Sequence, residues 1–364
     1  MGRAIALNRR ISPEEDPERL LLLMVYELPN FDDVNVATVF SKLGKLCGSK
    51  SFPRNIAADV RFCGLMMQAR DMCADGRLQA QAVANICHAV AKISAAGKLA
   101  TGDADVHDTL GALEVAMVRV GPSMDPQALS NTIWSYATLG WEPGVEAWAA
   151  LEVAVVRVGP GMDPQHLSNT MWSFATLGRM PGAEARAALD AAVLRVGPGM
   201  NAQATANTLW GVATLGTTLG AKARVALEAA VVRVGHGMDA QNVANTLWSV
   251  AKLGWILRVE VRATLEVAVV RVGPGMIPQD LSNTIWSYAT LGLMPLMPWI
   301  EARSVLEAAA ARLGPGMSCR DVASTVLAHA TLGLMPGAGA RTALEVAVVR
   351  VGPDMNAQNI SNTL

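Results

Sequence analysis

Apolar and polar positions along this chain follow two superposed periods, one of about 3.6 residues and one of 38. The segment at residues 124–140 (MDPQALSNTIWSYATLG) returns beginning at Met162, Met200, Met238, Met276, Met317 and Met355. Successive spacings are 38, 38, 38, 38, 41 and 38. Numbering Met124 as position 1, positions 6, 10, 13 and 14 are apolar. Positions 5, 8, 9, 12 and 15 fall on the opposite side of a helix, within about 120° at about 100° per residue. A second amphipathic stretch, residues 145–158 (VEAWAALEVAVVRV), completes the unit. Asp125 suits an N-cap, Pro126 the first helical position and Gly140 the residue after the last turn. Asn201, Asp239, Ser318 and Asn356 repeat the cap, whereas Ile277 does not. Gly159 and Pro160 stop the second helix.

Two short helices joined by short loops make an antiparallel hairpin, and hairpins in tandem bury their apolar faces against one another. The pattern therefore predicts an all-α fold, an α-solenoid (superhelix) of 38-residue antiparallel helical-hairpin repeats. Residues 78–94 (LQAQAVANICHAVAKIS) match position for position and residues 31–47 more loosely. This divides the chain into a divergent N-terminal helical region, 1–77, with one or two degenerate repeats, and a regular array, 78–364, truncated inside its last repeat. The 41-residue step contains a duplicated Leu-Met-Pro, at 293–295 and 296–298, expected in a loop.

Composition narrows the function classes. A chain of 364 residues exceeds the usual size of one core, but an array escapes that limit because each unit packs only on its neighbours. With 51% apolar and 17% charged residues, disorder is excluded as the main state. A net charge of −1 gives no global pull toward a polyanion or an anionic membrane. Five scattered cysteines fit a reducing compartment and no zinc or disulfide framework. Residues 1–20 lack the apolar core of a secretory signal. Residues 196–221 carry no charge, yet Gly197, Pro198, Asn201, Gln203 and Asn207 place them in a loop and one helix of the repeat, so no membrane insertion is expected.

The first-helix string Pro126, Gln127, Leu129, Ser130, Asn131, Thr132, Trp134, Ala137, Leu139, Gly140 resembles the octotricopeptide repeat family, helical-hairpin proteins of organelles. That family's Glu-Trp motif near the second helix survives loosely as Pro143, Glu146 and Trp148, and other repeats have Arg at the Trp position. The resemblance implies sequence-selective binding of single-stranded RNA in chloroplast or mitochondrion, supporting RNA processing, stability or translation.

Candidate binding residues follow from the register. Position 8 is Asn85, Asn131, Asn169, Asn207, Asn245, Asn283, Ser324 and Asn362. Position 5 varies as Ala82, Ala128, His166, Ala204, Asn242, Asp280, Asp321 and Asn359. A constant polar column beside a variable one suits reading a polymer unit by unit, and amides offer donor and acceptor together. The competing reading has the Asn column tying hairpins together through the backbone; position 5 has no evident structural role. Trp134, Trp172, Trp210, Trp248 and Trp286, at position 11, read as core. One arginine column, Arg119, Arg157, Arg195, Arg233, Arg271, Arg312 and Arg350, closes each second helix. It either opposes the helix dipole or, beside the N-termini of the first helices, forms a phosphate track. A second column, Arg186, Arg224, Arg262, Arg303 and Arg341, pairs with acids four residues on and reads as a solvated face. Lys42, Lys45, Lys92 and Lys252 add charge. His88, His107, His166, His236 and His329 do not converge, so no catalysis, cofactor, metal or small-molecule substrate is expected. Single-stranded RNA is the expected partner, with protein partners besides. The alternative is an armadillo-like peptide-binding scaffold with no RNA role.

Overall fold

The computed structural model describes residues 2–293 and 297–363, leaving aside the side chains of residues 297–300. By contacts it divides into two compact units, Met1–Ala192 and Val193–Leu364. The division differs from the point near residue 78 where the repeat becomes regular. The first unit holds α1 (Gly2–Ile11), α2 (Pro17–Glu27), α3 (Asp33–Leu46), α4 (Val60–Ala74), α5 (Ala80–Ala95), α6 (Ala104–Val120), α7 (Pro126–Leu139), α8 (Val145–Val158), α9 (Pro164–Thr176) and the beginning of α10 (Ala183–Val196). The second continues with α11 (Ala202–Leu215), α12 (Ala221–Val234), α13 (Ala240–Lys252), α14 (Val259–Val272), α15 (Pro278–Thr290), α16 (Met297–Leu313), α17 (Cys319–Thr331), α18 (Ala338–Val351) and α19 (Ala357–Thr363). Among the described residues there is no strand, and no helix is long and apolar enough to cross a membrane.

Each unit is an α-solenoid. Odd-numbered helices, the A helices, pack side by side in one row, and even-numbered B helices in another. The region before residue 78 joins this scheme, since α1 packs on α3 and α2 on α4. Capping sets the boundaries: Asp125, Asp163, Asn201 and Asp239 accept from the backbone N–H three residues on at 2.7–2.8 Å. Gly140, at φ 63°, ends α7 in the left-handed region that glycine enters without strain. After each B helix from α6 to α18 a glycine opens a single 3₁₀ turn, as at Gly159–Gly161, with His236 in proline's place after α12, and from α6 to α16 the turn delivers a buried methionine to the next A helix. Residues 294–296 of the Leu-Met-Pro duplication lie outside the described residues. Met297 and Pro298, expected in a loop, instead open α16, where proline is tolerated because first-turn N–H groups need no helical partner.

The A row is the closer packed of the two in each unit, and small residues allow it. Ala128, Ser130, Thr132 and Ser135 of α7 are all buried. Their hydroxyls bond back to their own helix: Thr132 to the Ala128 carbonyl at 2.8 Å and Ser135 to the Asn131 carbonyl at 2.5 Å. Satisfied this way, Ser and Thr pack as small apolar residues. Ser173, Ser249 and Ser287 do the same at 2.6 Å. Positions 9 and 12, expected on an open polar face, are therefore interior. In the B row a glycine makes the contact. A Cβ on Gly159 would stand 3.2 Å from that of Ala188 on the neighbouring B helix.

Candidate ligand-binding face

With positions 5, 9 and 12 largely buried, the solvent-open side of each A helix is positions 4, 8, 11 and 15. At about 100° per residue these four fall within about 60° of one another. In the first unit they are Gln127, Asn131, Trp134 and Thr138 on α7, and Gln165, Asn169, Trp172 and Thr176 on α9. In the second they are Gln203, Asn207, Trp210 and Thr214 on α11, Gln241, Asn245, Trp248 and Lys252 on α13, and Gln279, Asn283, Trp286 and Thr290 on α15. The glutamines are exposed, while the asparagines and tryptophans are half-buried. The tryptophans, read from sequence as core, keep part of each indole open to this stripe.

Among the described residues, no hydrogen bond engages the side-chain amides of Asn131, Asn169, Asn207, Asn245 or Asn283; only their backbone carbonyls are used. The asparagine column therefore does not tie hairpins together, and its donors and acceptors face outward unspent. On α5 the amide pair is joined: Gln81 donates to Asn85 at 3.0 Å. There His88 takes the tryptophan's place, its ring 4.9 Å from that of Trp134. Burial, with help from Lys92, pushes the His88 pKa down to about 4, so this imidazole is neutral near pH 7. From α5 to α19, positions 4, 8, 11 and 15 carry no described carboxylate, and their charged groups are Lys92, Lys252 and Arg320, all cationic.

Position 5 has a structural role that sequence reasoning missed. It is the third residue of each A helix, whose backbone N–H binds the cap. Ala128 and Ala204 are buried there. His166 reaches back to the Asp163 cap at 3.2 Å, and both His166 and Asn242 donate their backbone N–H to their caps at 2.8 Å. Asp280 compensates for the uncapping Ile277 by accepting from its N–H at 3.3 Å, and burial raises the Asp280 pKa. Asp321 accepts from the Ser318 N–H at 3.3 Å and from Ser282 of α15 at 3.0 Å. Asp280 and Asp321 thus serve the caps, whereas Ala128, His166 and Asn242 all follow an aspartate cap.

The terminal arginines of the B helices also find partners inside their own hairpins. Nη2 of Arg119 donates to the Leu78 carbonyl at 2.6 Å and Nη2 of Arg312 to that of Met276 at 3.2 Å. Arg157, Arg233, Arg271 and Arg350 make the equivalent bond to Met124, Met200, Met238 and Met317. Arg195 is engaged as well. Any phosphate would compete with these carbonyls for the same guanidinium. The second arginine column is less solvated than its spacing implied. Glu228 and Glu266 are buried against Arg224 and Arg262 at 2.9 and 2.8 Å, and Arg224 also covers the Trp255 ring at 4.7 Å. The same acid column holds register elsewhere, since Glu114 and Glu152 accept from the N–H of Gly144 and Gly182 at 2.8 and 3.0 Å.

Glutamine at position 4 was also missed, though its signal is plain: it recurs at Gln81, Gln127, Gln165, Gln203, Gln241, Gln279 and Gln358, one turn before each asparagine. No family model and no curated protein matches this chain. Among solved structures it is similar to an engineered protein, at 14% identity over 96% of this chain and 92% of that one, with a TM-score of 0.23. A likeness at that level carries no argument about function.

Proposed function

We propose that the A-helix stripe binds single-stranded RNA, and that the protein serves RNA processing, stability or translation in chloroplast or mitochondrion, as its resemblance to octotricopeptide repeats implies. One observation carries this reading: five hairpins, those of α7, α9, α11, α13 and α15, each offer a free asparagine amide beside a half-buried indole, with no carboxylate at positions 4, 8, 11 or 15. An unstacked base presents a flat π-face to the indole and hydrogen-bonding edges to the amides, each such stack being worth about 1–3 kcal/mol. A peptide main chain could use the amides but gives the indole no flat partner. The lack of negative charge suits a polyanion that near-zero net charge alone would not attract.

The test is anisotropy of a labelled mixed-sequence RNA strand titrated with the full chain, with tryptophan quenching read alongside. Binding should quench the indoles, and Trp248→Ala should weaken it by about fivefold or more, the lower end of a single lost stack. Absence of binding at low salt, or capture of an unstructured peptide in its place, would replace this reading with the peptide-scaffold one.

A further inference from the structure

We infer that the strand recognised by this face is a run of a single base, and that the base is adenine; this rests on the RNA reading above. The argument begins with sameness. The stripes of α11, α13 and α15 in the second unit repeat Gln, Asn and Trp without change, and so do those of α7 and α9 in the first. An array that spells a mixed sequence needs side chains that differ from hairpin to hairpin where bases are met. Here the differing column is position 5, and on four of the five uniform stripes its side chain is buried, as in Ala128, Ala204 and Asp280, or turned to the helix cap, as in His166, with Asn242 on α13 the exception. Identical sites select identical units.

The chemistry of the sites names the unit. An amide offers a carbonyl acceptor and an N–H donor side by side. Adenine answers with an N6–H donor next to a ring-nitrogen acceptor, the bidentate match that asparagine and glutamine make to it. Adenine offers this match on two edges, through N1 or N7, whereas guanine offers it on one, through O6 and N1–H; its O6 and N7 are both acceptors and call for arginine or lysine, which the uniform Gln-Asn-Trp stripes lack apart from Lys252. Cytosine and uracil cover less of an indole than a purine does. The half-buried tryptophan gives what surface it exposes to stacking.

The experiment measures affinity of the full chain for oligo(A), oligo(U), oligo(C) and a mixed-sequence strand of equal length at one salt concentration. Oligo(A) should bind at least about fivefold tighter than the mixed strand, the low end of what one matched bidentate contact discriminates. Asn245→Ala, checked for unchanged helicity, should reduce the oligo(A) affinity more than the mixed-strand affinity. Equal affinity for all four strands would overturn the inference and leave RNA binding standing. Tightest binding to oligo(U) or oligo(C) would overturn the choice of adenine. If no strand binds, the RNA reading itself falls.

Discussion

Nη2 of Arg119, near the end of α6, donates to the carbonyl of Leu78, just ahead of α5, at 2.6 Å. The bond spans 41 residues and closes one hairpin at its open end, and Arg157, Arg233, Arg271, Arg312 and Arg350 repeat it. A cation that merely opposed the helix dipole could be lysine as well as arginine. A planar guanidinium reaching a fixed carbonyl cannot be replaced so freely. Arg119→Lys is therefore expected to lower stability by about 1 kcal/mol, as lost charged hydrogen bonds at accessible sites do. Denaturant unfolding checks this, and a lysine variant as stable as the parent would return the column to the dipole.

Two glycines of one turn should behave in opposite ways. A Cβ on Gly314 would lie 2.8–2.9 Å from the Cβ, carbonyl carbon and carbonyl oxygen of Ala343, most of it rigid backbone. Around Gly316, two residues on, nothing stands within 4 Å, and its φ is not positive. Gly314→Ala should force α16 and α18 apart and cost about 1–3 kcal/mol, the usual range for overpacking. Gly316→Ala should be neutral or slightly stabilising. Comparing their melting temperatures decides it: equal loss in both would mean that backbone freedom, rather than close approach, is what glycine supplies here.

Helix positions were legible because caps and stops are local. Asp125, Pro126 and Gly140 bracket α7, and Val145–Val158 emerged as the B helix its pattern described. The open side of the A helix was not legible, for a reason that Ser135 shows. From sequence it counts as polar, but its hydroxyl spends itself on the Asn131 carbonyl and it packs as interior. Once such residues are moved inside, the stripe rotates toward Gln127 and Trp134. The arginine bonds were hidden because their partners lie 33–41 residues away, and only a folded hairpin brings them together. Asp321 was legible: Ser318, two residues of helix start, then Asp321 is the spacing of a capping box.

His88 should give the fold a pH dependence of predictable sign. Its imidazole is held neutral down to about 4, against an ordinary value of 6.5, mainly by burial. In the unfolded chain it takes up its proton nearer the ordinary value, so the unfolded state binds more protons in between. The stability contribution is therefore complete above about 6.5 and is lost as pH falls toward about 4. Replacing His88 with the tryptophan that five other hairpins carry at this position should flatten that part of the profile relative to the parent. Melting temperatures across this pH range, taken for both proteins, check it. An unchanged slope in His88→Trp would assign the acid sensitivity to the carboxylates.

The last prediction separates the two sets of cations by what salt does to binding. Each phosphate neutralised on a single strand adds about −0.7 to the slope of log affinity against log salt. Lys252 sits on the open stripe of α13 with no carboxylate partner among the described residues, so Lys252→Gln should flatten the slope by about that amount. Arg233 is bound to the Met200 carbonyl, so Arg233→Gln should lower stability and leave the slope unchanged. Trp248→Ala should leave the slope unchanged and, besides the stability lost with its buried part, remove a stack, which weakens affinity at every salt concentration alike. The three variants thus fail in three distinguishable ways, by slope, by melting temperature and by intercept. If Arg233→Gln flattens the slope while folding normally, the guanidinium leaves its carbonyl for a phosphate, and the strand runs along the ends of the A helices rather than across their open faces.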